Sequence, residues 1–471
     1  MFGFSAIPAG GPVIKQLSDY LRENIENGTL APGLRLQPTR KAAEELGVAR
    51  NIVIEVYEQL AAEGYLTARA GSGTYVAEGI QAAPARLVPL PQEARAKSGT
   101  EAREDGRLIY FDAGSPDLTC FPRRIWNKYV REVTEYGPDR ALDYGNVRGN
   151  EALREAIARY VYRAKGIRCG PDRILVTSGT SDSFLLLAAA FKDLFHTAYV
   201  EDPTIGFTAG IFRRWRYDVR PVPVDQQGMI VSRIPRGAPQ GLIVLTPSHQ
   251  YPTGSILSIQ RRQQLVRLAE EAGHYLVEDD YNSEFRHRGS PVPPLQILSP
   301  SRVLYAGTFS KSLSPALRIG FLIAPPDLAD RLLRTKADLF LNASGITQLA
   351  LARFMEDGHF DRHVHKMKTI YKKKRIFLGE QCRRLFGDEA RIIGDEAGMH
   401  VQLAFRPEVY GHVDWRQIEA WGVRLDSFDD YAETKGRHPG KIVLGYGRLT
   451  EKEIAEGLRR IRDFLQSRKR P

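Results

Sequence analysis

The sequence predicts two domains of different class, a small α+β domain followed by a large α/β domain with a mainly parallel sheet. Three observations support this division. A length of 471 residues exceeds what one hydrophobic core usually serves. Residues 13–76 have the pattern of three short helices and a hairpin, whereas strand-like apolar runs alternate with helical stretches from residue 108 onward. We therefore expect domains at 1–77 and 108–471, joined by a linker at 78–107.

Composition restricts the class of protein and its compartment. Hydrophobic residues make up 42% of the chain and charged residues 26%, which excludes collagen-like, coiled-coil and wholly disordered proteins. The longest apolar run, residues 184–191, is too short to span a bilayer, and residues 1–12 lack the pattern of a secretion signal. Three widely spaced cysteines without a CxxC pair indicate reduced thiols. We expect a cytoplasmic protein with no disulfide frame and no metal site.

Helical spacing and glycine turns define the N-terminal domain. Apolar residues at helical intervals predict a first helix over 13–27. A second helix is predicted over 39–46 with Thr39 as its N-cap, and a third over about 50–63. Two short strands flank a glycine-rich tip at 71–73. This is the layout of a winged helix-turn-helix, in which the third helix enters the major groove of DNA and the hairpin touches the backbone.

The run LRLQPTRKAAEELGVARNIVIEVYEQLAAEGYLTARAGSGTYV strongly resembles the DNA-binding domain of GntR-type bacterial regulators. The resemblance implies contacts with phosphates and base edges from the helices, and wing contacts from the hairpin. The residues that it assigns to DNA are Arg40, Arg50, Asn51, Arg69, Gly71, Ser72 and Gly73. The alternative is a three-helix module that docks on another protein.

The segment 78–107 is rich in alanine, proline and charged residues, without a sustained period. This composition predicts an interdomain linker, stiffened by prolines in its first half. The alternative for residues 92–103 is an amphipathic helix that packs on the next domain.

Apolar runs of strand length recur through the large domain, separated by longer helical stretches. The alternation predicts βα units and a mainly parallel sheet. Ligands bind such sheets at the carboxyl ends of the strands, so the residues after each run are the candidates for a site. The predicted strands are Ile174–Thr177, Ala198–Val200, Leu242–Leu245, Tyr275–Val277, Val303–Tyr305 and Gly320–Ile323.

Four of these strand ends carry residues suited to chemistry. Hydroxyl residues at 177–182 open a helix, whose free N–H groups suit a phosphate. The loop 246–254 is bounded by proline and glycine, so its backbone can approach a ligand closely. A carboxylate within 278–281 can hold a ring nitrogen protonated, and Lys311 lies among hydroxyl residues seven positions before Arg318. Taken singly, each feature is also typical of an ordinary turn, a helix cap or a surface lysine.

In this order the four strand ends resemble the fold-type-I pyridoxal-phosphate aminotransferases. The resemblance implies pyridoxal 5′-phosphate (PLP) as cofactor, with Lys311 as the Schiff-base lysine, Asp279 paired with the pyridine nitrogen and Tyr281 bonded to the ring oxygen. The phosphate ligands that it implies are Thr180, Ser181, Thr308, Ser310 and Arg318. Because a GntR-type winged helix precedes such a domain, the chain is identified as a member of the MocR family of transcriptional regulators.

Two positions near the cofactor depart from the family pattern. The slot of the aromatic residue that stacks on the cofactor ring holds Ile205, so we expect stacking from Phe207 or aliphatic packing instead. The phosphate turn carries Ser181 where a glutamine is usual.

A third departure concerns the substrate. The arginine that binds the substrate α-carboxylate is replaced by Val443, and Lys441 or Arg448 are the candidate substitutes. Transamination depends on accurate positioning of the substrate, so this departure favours a sensor over an efficient enzyme. We predict a homodimeric PLP-dependent regulator of promoter DNA that senses an amino compound, or PLP itself, through an aldimine at Lys311. The alternatives are a PLP-dependent aminotransferase with an accessory DNA-binding domain, and a regulator whose lysine is vestigial.

The net charge of +11 does not arise in the DNA-binding domain, since residues 1–76 hold seven basic and eight acidic residues. Nine basic residues against one acidic lie between Arg362 and Arg384, and the tail at 468–470 is basic. Solvated helix faces are one explanation of this pattern. The other is a basic surface on the large domain that binds DNA bent or wrapped between two DNA-binding domains. In that case, neutralising the three lysines at 372–374 weakens binding and flattens its salt dependence.

Overall fold

Two compact units, divided between residues 104 and 105, make up the computed structural model, which describes residues 13–80, 108–289, 292–339 and 342–468. The predicted linker lies outside the described residues except for 78–80, as do residues 469 and 470 of the basic tail. In the described ranges, no helix is both long enough and apolar enough to cross a membrane.

The N-terminal unit is a three-helix core with an antiparallel hairpin, as predicted. Its elements are α1 (Val13–Glu26), α2 (Thr39–Leu46), α3 (Arg50–Ala62), β1 (Leu66–Arg69) and β2 (Gly73–Val76). Leu21 of α1 and Val53, Val56 and Leu60 of α3 are fully buried. Their helical spacing gives each helix one apolar face, and the burial of these faces against each other holds the unit together.

The start of α2 differs from the prediction. Thr39 is the first residue of the helix and not its N-cap, because Pro38 occupies that position with φ −56° and ψ 140°. The extended ψ of the proline turns the chain into the helix one residue earlier than expected, and no side chain caps the first amides. The other end matches the predicted turn, since Gly47 adopts the left-handed conformation with φ 65° and its N–H donates to the carbonyl of Ala43.

The large unit alternates strands and helices. Its strands are β3 (Ile109–Tyr110), β4 (Ile174–Thr177), β5 (Thr197–Asp202), β6 (Asp218–Asp225), β7 (Gly228–Met229), β8 (Gly241–Leu245), β9 (Tyr275–Asp280), β10 (Val303–Thr308), β11 (Gly320–Ile323), β12 (Ala390–Ile393), β13 (His400–Phe405), β14 (Val423–Arg424), β15 (Asp426–Ser427) and β16 (Lys441–Gly445). Its α-helices are α4 (Arg123–Tyr136), α5 (Glu151–Lys165), α6 (Thr180–Ala190), α7 (Phe207–Arg214), α8 (Ile259–Ala272), α9 (Leu295–Leu298), α10 (Ala329–Asp338), α11 (Gly345–Glu356), α12 (His359–Phe386), α13 (Pro407–Tyr410) and α14 (Glu451–Gln466).

An eight-stranded sheet forms the centre of this unit, in the order β4-β11-β10-β9-β8-β5-β6-β7. Strands β10, β9, β8, β5 and β6 run parallel, while β11 and β7 are antiparallel to their neighbours. Both β8 and β9 are buried along their whole length, which explains why strands in this sheet are continuous apolar runs and not alternating ones. The mainly parallel sheet confirms the predicted α/β class.

A second, antiparallel sheet has the order β12-β13-β16-β15. Its register places Val443 of β16 opposite Gln402 of β13 and opposite Asp426 of β15. Gln402 and Asp426 are therefore the cross-strand neighbours of Val443, the position at which the family arginine is missing.

Helix α12 carries the basic stretch, and the structure corrects the idea that all of it forms one surface. Lys374 and Arg375 are buried, with Nζ of Lys374 2.8 Å from Oδ2 of Asp117 and Nη1 of Arg375 2.9 Å from Oδ2 of Asp395. Buried cations persist only with charge partners, so these two are structural and unavailable to DNA. The exposed basic residues of this helix are Arg362, Lys366, Lys368, Lys372, Lys373, Arg383 and Arg384.

Candidate cofactor site and DNA interface

The end of β9 presents two of the predicted site residues on one side and two acids with structural partners on the other. Successive strand residues alternate faces, so Asp279 and Tyr281 share a side that Glu278 and Asp280 do not. The carboxylate of Glu278 accepts hydrogen bonds from the first amides of α9. Asp280 pairs with Nζ of Lys165 at 3.0 Å. Both structural acids are therefore occupied, which leaves Asp279 as the acid of the site.

Asp279 is 2% exposed, and its two carboxylate oxygens differ in their surroundings. Oδ1 accepts a hydrogen bond from Oγ1 of Thr180 at 3.3 Å, while Oδ2 is buried with no partner among the described residues. Burial first, and then the charge of Asp280, raises the pKa of Asp279 to about 8. An ionised Asp279 at neutral pH therefore requires a cation beside Oδ2, and a protonated ring nitrogen meets that requirement.

Lys311 follows β10 and reaches the loop that follows β3. Its Nζ donates a hydrogen bond to the carbonyl of Gly114, and burial lowers the pKa of its ammonium group. A lowered pKa increases the fraction of neutral amine, which is the nucleophilic form. This lowered pKa agrees with the reactivity that the sequence predicts for Lys311.

A cradle of backbone and basic groups lies at the start of α6. Gly179 is the N-cap with φ 125°, and no side chain caps the helix amides. Gly320 packs against it so closely that a Cβ on Gly320 would lie 2.8 Å from Cα of Gly179. Nη1 of Arg318 lies 3.7 Å from the place of a Cβ on Gly179. Free amides, a helix N-terminus and a guanidinium group together suit a phosphate.

The predicted hydroxyl ligands lie on the elements that border this cradle. Thr180 and Ser181 occupy the first turn of α6, and Thr308 ends β10. Oγ1 of Thr308 donates to Oγ of Ser310 at 3.0 Å. The cradle, the orphan oxygen of Asp279 and the amine of Lys311 therefore fit the phosphate, ring nitrogen and aldehyde of PLP.

Aromatic and imidazole groups line the rest of the site. The hydroxyl of Tyr281 donates to the carbonyl of His249 at 2.9 Å and lies 3.1 Å from Nδ1 of the same residue. The ring centroid of Tyr251 lies 5.8 Å from that of Tyr281 and 5.2 Å from that of His400. Ile205 is partly buried against the cluster that contains Tyr251 and Tyr281.

The structure distinguishes the two candidate replacements for the missing stacking aromatic, which are Phe207 and aliphatic packing by Ile205. Phe207 packs on Phe184 of α6, with ring centroids 6.0 Å apart. Ile205 instead contacts the tyrosine cluster beside Asp279. Of the two options that the sequence left open, this geometry favours aliphatic packing by Ile205.

The candidate substitutes for the carboxylate arginine do not form a clamp. Val443 is buried with Ala113 and Tyr251. Nζ of Lys441 lies over the ring of Phe428 at 5.6 Å, and Arg448 is exposed. The charge of Arg448 acts on Tyr110, on which the charge of Asp112 also acts.

Sequence reasoning did not single out Asp112, His249 or His400. Oδ1 of Asp112 and Nζ of Lys311 lie 3.2 Å and 3.4 Å from the place of a Cβ on Gly114, so the carboxylate is a neighbour of the lysine. His249 lies inside the loop TPSHQYPTG, which was one of the four predicted strand ends, so its polar ring could have been predicted as part of the site. Asp112 and His400 belong to other elements, and only the folded chain brings them to the site.

The residues assigned to DNA are exposed on the N-terminal unit, except for half-buried Ser72. Arg40 lies on α2 with its side chain 83% exposed, and Arg50 and Asn51 occupy the exposed first turn of α3. Arg69 ends β1, where Nη2 is 2.9 Å from Oε1 of Glu78. The tip of the hairpin uses left-handed glycines, with φ 71° at Gly71 and 118° at Gly73, and Ser72 lies between them.

Arg35 is an additional basic residue of the hairpin. It bridges Tyr75 of β2, and its Nε would lie 3.1 Å from a Cβ on Gly73. The sequence prediction omitted it because it precedes α2, whereas the structure places it beside the wing.

Comparison with known proteins agrees with this architecture. Residues 128–459 match the family Aminotransferase class I and II, and residues 13–76 match the family Bacterial regulatory proteins, gntR family. The chain is 34% identical to the probable rhizopine catabolism regulatory protein MocR of Rhizobium meliloti, over 96% of this chain and 93% of that protein. It is 32% identical to the uncharacterized HTH-type transcriptional regulator YdeL of Bacillus subtilis, over 96% of both chains.

The large unit also resembles solved aminotransferases. The multiple substrate aminotransferase from Thermococcus profundus superposes with a TM-score of 0.70 and 26% identity, over 78% of this chain and 93% of that one. This fold, with the family match, supports the prediction of PLP as the cofactor. The chain therefore belongs to the MocR family of HTH-type transcriptional regulators, in which a GntR-type DNA-binding domain precedes an aminotransferase class I and II domain.

Proposed function

We propose that this protein is a PLP-dependent regulator that binds promoter or operator DNA and senses an amino compound, or PLP itself. The observation that carries the proposal is the joining of a GntR-type domain to a buried site that holds both Lys311 and an acid with an orphan oxygen, Asp279. The DNA-binding domain supplies the output, and the aminotransferase-like domain supplies the sensor.

Each residue of the site has one task in this proposal. When bound, PLP supplies an electrophilic carbon and an electron-withdrawing ring. Lys311 would hold the cofactor through its amine, and Oδ2 of Asp279 would keep a proton on the ring nitrogen. Tyr281 hydrogen-bonds the ring oxygen, while Arg318 and the hydroxyl groups around Gly179 hold the phosphate.

The DNA side of the proposal assigns base and phosphate contacts to α2 and α3, and backbone contacts to the hairpin. We also propose a homodimer, because two DNA-binding domains match a paired or repeated half-site. A protein that acts on bacterial promoter DNA works in the cytoplasm, where its three free cysteines stay reduced.

A PLP-dependent aminotransferase with an accessory DNA-binding domain is the second candidate function. The presence of Lys311, Asp279 and Tyr281 on one site favours it, since these groups suffice for a half-reaction. Val443 opposes it, because a substrate carboxylate lacks a positioning arginine there. Sustained amino-group transfer between an amino acid and an oxo acid at enzyme-like rates would establish the second candidate.

A mobility-shift experiment tests the regulator. The full chain is incubated with DNA from upstream of its own coding region, with and without PLP and amines. We expect a shifted band whose affinity or pattern responds to PLP. Lys311→Ala should lose the response, whereas Lys452→Ala, an exposed lysine at the start of α14, should keep it. An unshifted fragment under all conditions refutes the proposal, and an unchanged response in Lys311→Ala makes the lysine vestigial.

A further inference from the structure

The side of the site that lacks the family arginine is acidic. Val443 of β16 lies directly opposite Asp426 of β15. Directly opposite residues of neighbouring antiparallel strands project from the same face of a sheet, so Asp426 shares the face of Val443. The oxygen Oδ2 of Asp426 accepts a hydrogen bond of 2.5 Å from Tyr431, whose ring packs on Tyr251 at 5.0 Å.

Asp112 adds a second carboxylate beside the reacting lysine. Its Oδ1 accepts a hydrogen bond of 2.7 Å from the amide of Gly114, and the carbonyl of Gly114 accepts one from Lys311. The charges of Asp112 and Asp426 also act on each other. After burial and the charge of Asp430, the charge of Asp112 contributes to the raised pKa of Asp426. A bound cation would relieve this repulsion, whereas a bound carboxylate would increase it.

The imidazole groups of the site add no positive charge. Burial lowers the pKa of His249 to about 4 and that of His400 well below its usual value, so both rings are neutral at pH 7. The charges of two exposed arginines, Arg424 and Arg448, act on Tyr110. Arg424 is exposed over the ring of Tyr110, 5.2 Å from its centroid, and Arg448 is exposed. Two cations near the site are half-buried: Arg286, whose charge acts on His249, and Lys441, two residues before Val443. Neither lies directly opposite Val443, where the neighbouring strands place Gln402 and Asp426.

Tyrosine side chains complete the surroundings of the two carboxylates. Burial, with the charges of Asp426 and Asp112, raises the pKa of Tyr110 to about 12. The same two aspartates contribute to the raised pKa of Tyr251. Both phenols are therefore neutral, and tyrosine rings attract ammonium groups through their faces. Carboxylates among tyrosine rings are a setting for a cation.

We propose that the effector is a diamine, in which one amine reacts at the cofactor and the second ammonium group binds Asp112 and Asp426 without a neighbouring carboxylate. This inference rests on the proposed function, because it names the class of amine that the sensor takes. It follows from the replacement of one arginine by valine next to Asp426 and from the position of Asp112 beside Lys311.

Matched ligands separate the two chemistries. The PLP-loaded full chain is titrated with 1,4-diaminobutane, with L-ornithine, which is the same diamine with an α-carboxylate, and with butylamine, which lacks the second ammonium group. Calorimetry and the visible band of the Lys311-bound cofactor report binding. We expect 1,4-diaminobutane to bind at least about tenfold more tightly than either of the others. Butylamine lacks the second ammonium group, and the carboxylate of L-ornithine is repelled by the two aspartates.

Three variants test the residues. Asp426→Asn should weaken 1,4-diaminobutane about tenfold and leave butylamine unchanged. Asp112→Asn, which also removes a charge that acts on Lys311, should weaken 1,4-diaminobutane more than butylamine. Val443→Arg should reverse the order in favour of L-ornithine. Lys452→Ala should leave the preference for the diamine intact, since this exposed lysine of α14 is not part of the proposed site.

The outcomes distinguish this inference from the proposed function. Two results would contradict the diamine proposal without contradicting the proposed PLP-dependent regulator. One is tighter binding of L-ornithine than of 1,4-diaminobutane. The other is an equal loss of affinity for 1,4-diaminobutane and butylamine in the aspartate variants. Absence of the cofactor band in the wild-type chain overturns both. A diamine preference that disappears in Asp112→Asn, together with a mobility shift that responds to 1,4-diaminobutane, supports both.

Discussion

Oγ1 of Thr180 donates a hydrogen bond to Oδ1 of Asp279 at 3.3 Å. The contact joins the first residue of α6, in the phosphate cradle, to the end of β9, where the ring nitrogen is expected. Because Oδ1 is occupied in this way, Oδ2 is the oxygen left without a partner. One hydrogen bond thus orients the carboxylate and connects the two ends of the proposed cofactor site.

Removing the charge of Asp279 should weaken PLP binding. Asp279→Asn keeps the shape of the side chain but cannot hold a proton on the ring nitrogen, so we expect a loss of about tenfold or more in affinity. Thr180→Val removes only the orienting hydrogen bond and should lose less. Fluorescence or absorbance titration of the apoprotein with PLP measures both, and equal affinity in Asp279→Asn and wild type would contradict the assigned role.

Asp279 should also make the stability of the apoprotein depend on pH. Its pKa is raised from 3.8 to about 8 in the folded state. The unfolded chain releases this proton at a lower pH than the folded chain, so the stabilisation present at low pH is lost as pH rises towards about 8. Glu201 and Glu278, whose pKa values are raised to about 7, contribute to the same trend.

Comparison of Asp279→Asn with wild type isolates the contribution of this residue. Between about pH 5 and about pH 7, urea unfolding of the apoproteins should show the variant gaining about 1 kcal/mol per pH unit relative to wild type. Saturating PLP should abolish this gain, because the ring nitrogen then balances the carboxylate. Parallel stability curves for the two apoproteins would mean that Asp279 titrates normally.

Recognition of DNA should depend on the first turn of α3. Arg50→Ala and Asn51→Ala should each cost about 1–3 kcal/mol of binding free energy on the specific site, and less on unrelated DNA. Lys15→Ala, an exposed lysine on α1, serves as the control. Mobility shifts on specific and scrambled fragments measure the ratio. A uniform loss on both fragments would assign these residues to phosphates.

Arg69 of the hairpin is held by an ion pair with Glu78, an acidic residue that follows β2. Nη2 of Arg69 is 2.9 Å from Oε1 of Glu78, and its guanidinium lies 4.7 Å from the ring centroid of Tyr75. Glu78→Gln should free the arginine for a phosphate, raise DNA affinity and steepen the salt dependence by about one unit of slope. A slope that does not change would show that Arg69 does not reach the DNA.

The exposed lysines of α12 provide a separate test of DNA binding by the large domain. Combined replacement of Lys366, Lys372 and Lys373 by alanine should weaken DNA binding and flatten its dependence on salt, without changing stability. Replacement of Lys128, which is exposed on α4, is a matched control. An unchanged slope would leave the α12 lysines as solubilising charges.

Lys374 must be kept out of that set. Its Nζ bonds the carboxylate of Asp117 at 2.8 Å and the carbonyl of Gly447 at 2.8 Å, so Lys374→Ala leaves a largely buried acid unpaired. We expect a loss of about 3 kcal/mol in the free energy of unfolding, measured with urea. A stability equal to that of wild type would mean that the ion pair contributes nothing.

Local patterns in the sequence were sufficient to predict helices such as α1 and α3 and the segments that follow the strands. Apolar spacing identified α1 and α3, because each helix buries one face. The predicted strand ends directed attention to the segments 278–281 and 306–320, because ligands bind at the carboxyl ends of parallel strands. The resemblance to aminotransferases then assigned roles to Asp279, Lys311 and Arg318 within them. Thr39 was misplaced as a cap because helix ends depend on the backbone torsions of single residues.

Only the tertiary structure decided which groups meet across distant segments and which charges are exposed. Asp112 reaches Lys311, and Asp426 stands opposite Val443, through loop placement and strand register. The sequence by itself determined the two domain classes, the family and a net charge of +11 that arises outside the N-terminal domain. It did not separate buried Lys374 from exposed Lys373, since burial is a property of the packed helix and not of residue type.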